Sequence, residues 1–278
     1  MIPFDFEYYK PETADEAVLL YADLSTKGKK PLYYGGGTEI ISMSRAYNID
    51  TEAVIDIKGI TECNVMELKD NKLTIGSAVT LTQIAEANLF PLLSLAVKRI
   101  ADHTVQGKIT LGGNIAATII YRESVLPLLL SDSTIVIAYS GGRKEVSFKE
   151  IFDKRIGLNK GELIVSVAID EKFLNLPYLH VKRTKNDKID YPLITIAALK
   201  NDDYINIAFS GVCDYPFRSS EIEEYLNDES MSNDDKIDKV IDSIPGQILS
   251  DLLGSSDFRK FMLKKMLLEI IEKDWRYE

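Results

Sequence analysis

The sequence predicts an α+β fold, in which two small lobes of helix and strand are followed by a smaller C-terminal α+β domain. Up to about residue 170, short apolar strands alternate with capped helical segments. After that point a hairpin precedes several charged helical segments, and strands followed by helices are typical of an α+β domain. The length of 278 residues fits one large domain or two ordinary ones. We predict domains at 1–170, with lobes of about 1–58 and 59–170, and at 171–278.

The first lobe begins with a helix. Thr13, with Glu16 three residues later, forms a capping box, and apolar residues recur behind it at helical spacing. A short strand is predicted at Pro31–Tyr34, and a buried strand at 53–57, where the residues are almost all apolar.

The second lobe contains more strands. Thr80 with Gln83 caps a helix that we expect to run to Ala87, and Pro91 begins another that continues to about Ile100. A hairpin-type turn is predicted at 140–143. The predicted strands of this lobe are 72–76, 133–138 and 161–167.

The C-terminal domain is predicted from a hairpin and a long helix. The strands 193–199 and 204–210 are joined by the polar residues 200–203. Helical, charged segments follow, and the last of them covers 257–275.

Composition narrows the function classes. The net charge of −10 argues against nucleic acid, whose phosphates select basic surfaces. The segment between Ser219 and Ser243 contains nine acidic residues and only two lysines. This composition indicates a solvated helical face or a docking surface for a basic partner. The sequence contains no run of 18 apolar residues, so no transmembrane helix is predicted. The N-terminus does not resemble a signal peptide. We therefore expect a cytoplasmic location.

Cysteine and histidine are scarce. Cys63 and Cys213 are too few for a cysteine-ligated iron–sulfur cluster, and we expect both to be small core residues. The histidines, His103 and His180, do not suffice for a histidine-rich metal site, so no metal site is predicted. His103 is either structural or a catalytic base, and no Ser/His/Asp arrangement supports hydrolysis.

Two glycine-rich segments carry the functional signal. The first glycine turn is Tyr34–Glu39, with Gly35, Gly36 and Gly37 in succession, and the second glycine turn is Thr110–Asn114. Glycine allows a backbone to approach a ligand closely, and successive N–H groups in such turns form a concave anion site. One turn alone is as consistent with an ordinary loop, and the Gly-x-Gly-x-x-Gly fingerprint is absent. Together the two turns predict a dinucleotide held between the lobes.

At this point the chain resembles the flavoprotein subunits of xanthine dehydrogenase and carbon monoxide dehydrogenase. Residues 31–40 resemble the first FAD-binding turn of that family, and residues 110–116 resemble the second, which is the more specific. The other matching segments, in the same order and spacing, are 101–109, 121–123 with Pro127, 158–164 and 182–184.

The resemblance implies a two-lobed PCMH-type FAD-binding domain followed by a C-terminal domain of the carbon monoxide dehydrogenase flavoprotein type. It implies non-covalent FAD with its diphosphate on the glycine turns, apolar contacts from Ile100 and Ile164, and a lysine, Lys182, near the flavin. Glu123 stands where many relatives have aspartate, and residues 117–120 depart from the usual sequence, so Glu123 is either a cofactor contact or part of a salt bridge beside Arg122. The full set of predicted cofactor-binding residues is Tyr34, Gly35, Gly36, Gly37, Thr38, Glu39, Ile100, Thr110, Gly112, Gly113, Asn114, Glu123, Ile164 and Lys182.

The function that the resemblance implies is electron transfer. A molybdopterin on a large partner subunit and 2Fe–2S clusters on a small one would supply electrons to this FAD, and an acceptor such as NAD would take them. No catalytic side chain is predicted, because the cofactor carries the chemistry. Two alternatives stay open: a stand-alone flavin reductase resembling the enolpyruvyl-sugar reductase of cell-wall synthesis, and a non-catalytic assembly protein. Tyr33 and Tyr34 either stack on a cofactor ring or belong to the core.

Overall fold

The structure is a computed structural model that describes residues 2–185, 190–273 and 275. The helices are α1 Ala14–Thr26, α2 Thr38–Arg45, α3 Leu81–Ala87, α4 Pro91–Lys98, α5 His103–Gln106, α6 Leu111–Ala116, α7 Val125–Leu130, α8 Phe148–Ile151, α9 Ser220–Asn227, α10 Asn233–Asp242 and α11 Ser256–Glu272. The strands are β1 Glu7–Tyr9, β2 Pro31–Tyr34, β3 Ala53–Asp56, β4 Met66–Lys69, β5 Lys72–Gly76, β6 Thr134–Tyr139, β7 Gly142–Ser147, β8 Phe152–Asp153, β9 Arg155–Ile156, β10 Leu163–Asp170, β11 Tyr178–Thr184, β12 Pro192–Asn201, β13 Tyr204–Ser210 and β14 Phe217–Arg218. No helix in these described ranges is long and apolar enough to cross a bilayer.

The first unit combines Met1–Ala87, His103–Ala117 and Asp132–Glu171. Its small sheet has the order β1-β3-β2 and is parallel, so the carboxyl ends of its strands share one edge. Its larger sheet has the order β4-β5-β10-β6-β7 and is antiparallel. The buried face of α1 packs into a core shared with residues of both sheets.

The second unit combines Asn88–Asp102, Thr118–Ser131 and Lys172–Glu278. Its antiparallel sheet has the order β11-β12-β13-β14. Residues of α9, α10 and α11 pack on this sheet to form the core, and α7, whose residues are all buried, lies against β12 and β13. The helices α4 and α7 therefore group with the C-terminal residues, although the predicted domain at 1–170 includes them. The predicted domain boundaries stay a prediction.

Most elements form where periodicity predicts them. Thr13 caps α1 by accepting a hydrogen bond from the Glu16 N–H, but the Glu16 carboxylate accepts from Glu12 rather than from Thr13. Thr80 and Gln83 form the complete reciprocal cap of α3. The hairpin of β12 and β13 has the predicted register, with Asn201 opposite Tyr204.

The prediction did not include the strands β4 and β11, and three further details differ from it. The helix predicted to continue to Ile100 ends at Lys98. The strand Glu7–Tyr9 was missed because three residues are too few to show a period, and they are paired by β3 rather than by a neighbour in sequence. The second glycine turn is the start of helix α6, because the Thr110 side chain caps it.

Candidate functional site

The first glycine turn joins β2 to α2 at the carboxyl edge of the parallel sheet. Gly37 is the N-cap of α2 and has a left-handed φ of 72°, which favours glycine. Within the described residues, no group accepts a hydrogen bond from the backbone N–H of Gly35, Gly36, Gly37 or Thr38. Four successive N–H donors at the N-terminal end of a helix form an anion site.

Glycine is required in this turn by its neighbours as well as by its conformation. A Cβ on Gly36 would lie 1.5 Å from the carbonyl oxygen of Lys108, and one on Gly35 would lie 2.8 Å from Thr110 Oγ1. A Cβ on Gly37 would lie 2.2 Å from the Tyr34 ring. The first turn therefore packs directly on the segment that leads into the second, so the structure brings these two predicted motifs together.

The second glycine turn has already used its backbone donors. The N–H groups of Leu111 and Gly112 bond to the carbonyls of Val79 and Ser77, each at 2.9 Å. The Gly113 N–H donates to Thr110 Oγ1 at 3.2 Å, and the Asn114 N–H to the Thr110 carbonyl at 2.9 Å. The proposed donation of these N–H groups to a diphosphate stays a prediction, and it competes with the bonds that form the helix.

Two glycines of this turn have different surroundings. A Cβ on Gly112 would lie 2.6 Å from the Ser77 Cβ, so Gly112 is needed for packing. Gly113 is exposed, and only Thr110 Oγ1, at 2.9 Å, would be near its Cβ. Asn114 is buried, with 7% of its surface accessible. Gly113 is thus the position in this turn where backbone faces open space.

The two tyrosines of β2 belong to the protein's own packing. The Tyr33 hydroxyl donates to the Gly161 carbonyl at 2.7 Å, its ring lies 5.0 Å from that of Tyr21, and burial raises its pKa. The Tyr34 ring is covered by the Lys58 ammonium, 4.4 Å from the ring centroid. With Gly37 also close to this ring, the core interpretation is favoured for both side chains.

A cluster that sequence reasoning missed lies beside the first turn. Lys58 Nζ donates to Asp56 Oδ1 at 2.8 Å and to the Gly35 carbonyl at 3.2 Å. Asp56 ends β3, is 4% exposed, and also accepts from the Tyr8 hydroxyl. Burial acts to raise the pKa of Asp56, but the hydrogen bonds from Lys58 and Tyr8 outweigh it and lower that pKa below its usual value. A carboxylate at the end of a buried parallel strand was the available signal, since ligand sites form at that edge.

In the second unit, the structure brings together Glu123 and Lys182. Lys182 Nζ donates to Glu123 Oε2 at 2.9 Å and to the Arg99 carbonyl at 2.7 Å, and Thr195 Oγ1 donates to Glu123 Oε1 at 2.7 Å. Both charged side chains are 4% exposed. Burial raises the pKa of Glu123, while Lys182 and Thr195 oppose that shift. Glu123 is therefore part of a buried ion pair, and its partner is Lys182.

Arg99 ties the same cluster to His180. Its Nη1 donates to the His180 carbonyl at 2.9 Å and lies 3.2 Å from His180 Nδ1. Because arginine only donates, Nδ1 accepts and the ring proton is assigned to Nε2, for which no described residue is an acceptor. Burial, with the charges of Arg99 and Lys182, lowers the pKa of His180 to about 3. Ile100, a predicted cofactor contact, directly follows Arg99.

The remaining candidates are placed as follows. Ile164 is buried in β10 opposite Ile137. His103 is exposed at the start of α5, and both cysteines are buried and outside any disulfide. In the described part of the chain, no cluster of three or more His, Cys, Asp or Glu side chains is arranged to hold a metal ion.

Comparison with known proteins gives the family. A profile of the family described as "FAD binding domain in molybdopterin dehydrogenase" matches residues 4–170, which is more than half of the chain. The chain belongs to this family. The membership confirms the predicted resemblance, FAD as the cofactor, and the class of oxidoreductase flavoprotein subunits.

Whole-chain relatives and solved structures agree with this assignment. The glyceraldehyde dehydrogenase medium chain of Sulfolobus acidocaldarius is 25% identical over 98% of this chain and 99% of its own length. The xanthine dehydrogenase FAD-binding subunit of Escherichia coli O157:H7 is 24% identical over 97% of this chain and 96% of its own length. A chain of the quinoline 2-oxidoreductase from Pseudomonas putida 86 superposes with a TM-score of 0.84 at 21% identity, covering 98% of this chain and 96% of that one. A chain of the Hydrogenophaga pseudoflava carbon monoxide dehydrogenase superposes with a TM-score of 0.84 at 24% identity, covering 96% of this chain and 96% of that one. The predicted two-lobed α+β fold is thereby confirmed.

The residues present fit FAD. The first turn offers N–H donors that have no acceptor in the described part of the chain, and its glycines carry no side chain that would obstruct a dianionic group. The sequence predicted these residues, whereas Lys58 and Asp56 became visible only in the structure. The individual cofactor contacts stay predictions.

Proposed function

We propose that this chain is the FAD-binding electron-transfer subunit of a molybdenum hydroxylase complex. In this proposal a large partner subunit holds molybdopterin and oxidises the substrate, and a small partner subunit holds 2Fe–2S clusters that deliver the electrons. When bound, FAD supplies a centre that accepts single electrons and releases a hydride to an acceptor such as NAD. The proposal includes a cytoplasmic location. The relatives that support it are named as medium chains or FAD-binding subunits of dehydrogenases.

The observation that carries the proposal is the row of N–H groups at residues 35–38, which have no acceptor among the residues that the structure describes. A diphosphate bound there would accept hydrogen bonds from backbone donors that are fixed before binding, at the positive end of α2. The proposed role of the second turn is to support the first and to leave Gly113 open. The chain's own task is to bind and orient the cofactor, so none of its side chains need act as an acid or a base.

Flavin content and one glycine variant test the proposal. The purified full chain is expected to be yellow with about one non-covalent FAD and no iron, because FAD sites of this kind bind a single dinucleotide. Gly113→Val is expected to abolish FAD binding, since a branched side chain would stand where the backbone is open. Ala87→Val, at an exposed position of α3, is the matched control and should bind FAD like the wild type.

The same preparation separates the alternatives. A folded chain that stays colourless when FAD is added would contradict the proposal and favour an assembly protein. NADPH oxidation by the isolated chain with an enolpyruvyl sugar nucleotide would favour the reductase. Unchanged FAD affinity in Gly113→Val would overturn the assigned second turn. Co-purification of the native complex identifies the large and small subunits.

A further inference from the structure

We propose that Lys58 is a positioning residue for the cofactor diphosphate: its ammonium holds the Gly35–Gly36 peptide so that the Gly36 N–H is presented as a donor. This inference rests on the proposed function, because it assumes that the diphosphate binds at the first glycine turn. Lys58 follows the carboxyl end of β3, next to the carboxyl end of β2, and is outside the set of residues predicted from sequence.

The ammonium is held in place from the protein side. Asp56 Oδ1 accepts from Lys58 Nζ at 2.8 Å and also from the Lys58 backbone N–H at 2.9 Å. The other carboxylate oxygen accepts from the Tyr8 hydroxyl, and the Asp56 side chain is 6% exposed whereas that of Lys58 is 46% exposed. A buried carboxylate fixed from two sides distinguishes this pair from an ordinary surface ion pair, in which both side chains are mobile.

The second acceptor of the ammonium is the carbonyl of Gly35, at 3.2 Å. This carbonyl and the Gly36 N–H belong to one peptide group, and no cis peptide bond occurs among the described residues. In a trans peptide the C=O and N–H point in opposite directions. Holding the carbonyl toward Lys58 therefore fixes the direction of the Gly36 N–H, which has no acceptor among the described residues.

The contact also makes the N–H a stronger donor. A charged donor on the carbonyl polarises the peptide group, and chains of hydrogen bonds strengthen one another. The opposite constraint comes from Lys108, whose carbonyl oxygen occupies the space where a Gly36 Cβ would be. Between these two contacts the peptide has little freedom to rotate, so a diphosphate would meet an oriented donor.

The test compares Lys58→Met, Lys58→Arg and the wild type as full chains freed of flavin. Dissociation constants are measured for FAD by fluorescence titration, and for ADP, which has the diphosphate without the flavin, by displacement of FAD. Lys58→Met is expected to weaken both by about three- to tenfold, the range of one modest hydrogen-bond contribution. Lys58→Arg should recover most of the affinity. Lys30→Met, at an exposed lysine paired with Asp50 in the same unit, is the control and should change neither constant.

The outcomes distinguish this inference from the proposed function. A wild-type chain that binds no FAD refutes the function itself. Wild-type FAD and ADP affinities in Lys58→Met overturn the role of Lys58 and leave the function standing. A loss for FAD without one for ADP also overturns it, because the effect then lies away from the diphosphate. Lys58→Met leaves the buried Asp56 carboxylate without its cation, so a lower thermal unfolding temperature is expected for the flavin-free chain. The dissociation constants are therefore measured at a temperature where both flavin-free chains are folded, and wild-type affinities there would show that Lys58 is merely structural.

Discussion

In the first glycine turn the N–H groups of residues 35–38 have no acceptor among the described residues, whereas in the second those of residues 111–114 are all bonded within the first unit. Both segments are rich in glycine and both lead into a helix, the first into α2 and the second into α6. The first turn leaves its N–H groups available to a ligand. The second turn uses its N–H groups to cap α6 and to donate to the carbonyls of Val79 and Ser77. A glycine-rich segment therefore indicates close approach of the backbone to another group, and its hydrogen bonds show whether that group is a ligand or part of the protein.

The buried ion pair of the second unit shows the same distinction for side chains. The family resemblance predicts Lys182 near the flavin, and that stays a prediction; in the structure its ammonium donates to Glu123 and to the Arg99 carbonyl. The Thr195 hydroxyl donates to the other carboxylate oxygen of Glu123. As in the second turn, these polar groups are hydrogen-bonded within the protein. Substituting them should therefore lower the free energy of unfolding before it changes FAD affinity.

The largest expected effect is at Gly36. In Gly36→Ala the new Cβ would lie 1.5 Å from a backbone oxygen, so the two turns must separate. We expect the free energy of unfolding to fall by about 4 kcal/mol or more, because a backbone atom cannot move aside as a side chain can. We also expect the variant to lose FAD binding. Denaturant unfolding and flavin titration measure the two losses.

Gly113→Ala is the matched control for this comparison. Its Cβ meets only the capping oxygen of Thr110, so the expected cost is about 1 kcal/mol, the size of a weakened helix cap. Equal stability losses in the two variants would show that the turns do not differ in the way their packing indicates.

The next effect concerns Glu123. Glu123→Gln leaves Lys182 charged and buried without its carboxylate, and we expect the free energy of unfolding to fall by about 3 kcal/mol. Asp238→Asn, in the exposed pair with Lys264, should cost less than about 1 kcal/mol.

A double variant shows whether the pair acts within the protein. Adding Lys182→Met to Glu123→Gln removes the stranded charge, so the combined loss should be smaller than the sum of the two single losses. Additive losses would contradict the pairing. A large drop in FAD affinity for Lys182→Met with an unchanged free energy of unfolding would show that Lys182 contacts the cofactor.

The effect that is smallest at neutral pH is a pH dependence from His180. Its pKa falls from 6.5 to about 3 in the folded chain, so the native state keeps the ring neutral while the unfolded chain binds a proton. Stability is therefore complete above about pH 6.5 and decreases as the pH falls toward 3, by about 1.4 kcal/mol per pH unit.

Unfolding free energies of His180→Gln and the wild type across this range measure the effect. The variant should lose that part of the slope, while His103→Gln, at the exposed histidine, should keep it. A wild-type slope in His180→Gln would show that other groups cause the acid sensitivity.

Local signals in the sequence predicted many of the elements and the family. The caps at Thr13 and Thr80, the hairpin at 201–204 and the glycine turns are local signals, formed by residues a few positions apart, so they could be predicted without coordinates. Which N–H donors are left without an acceptor among the described residues depends on the tertiary structure. Gly36 needs to be glycine because of Lys108, Glu123 is buried because of Lys182, and Lys58 reaches Gly35 because β2 and β3 run side by side. These contacts join residues far apart in the chain, and a single sequence carries no signal for such distances.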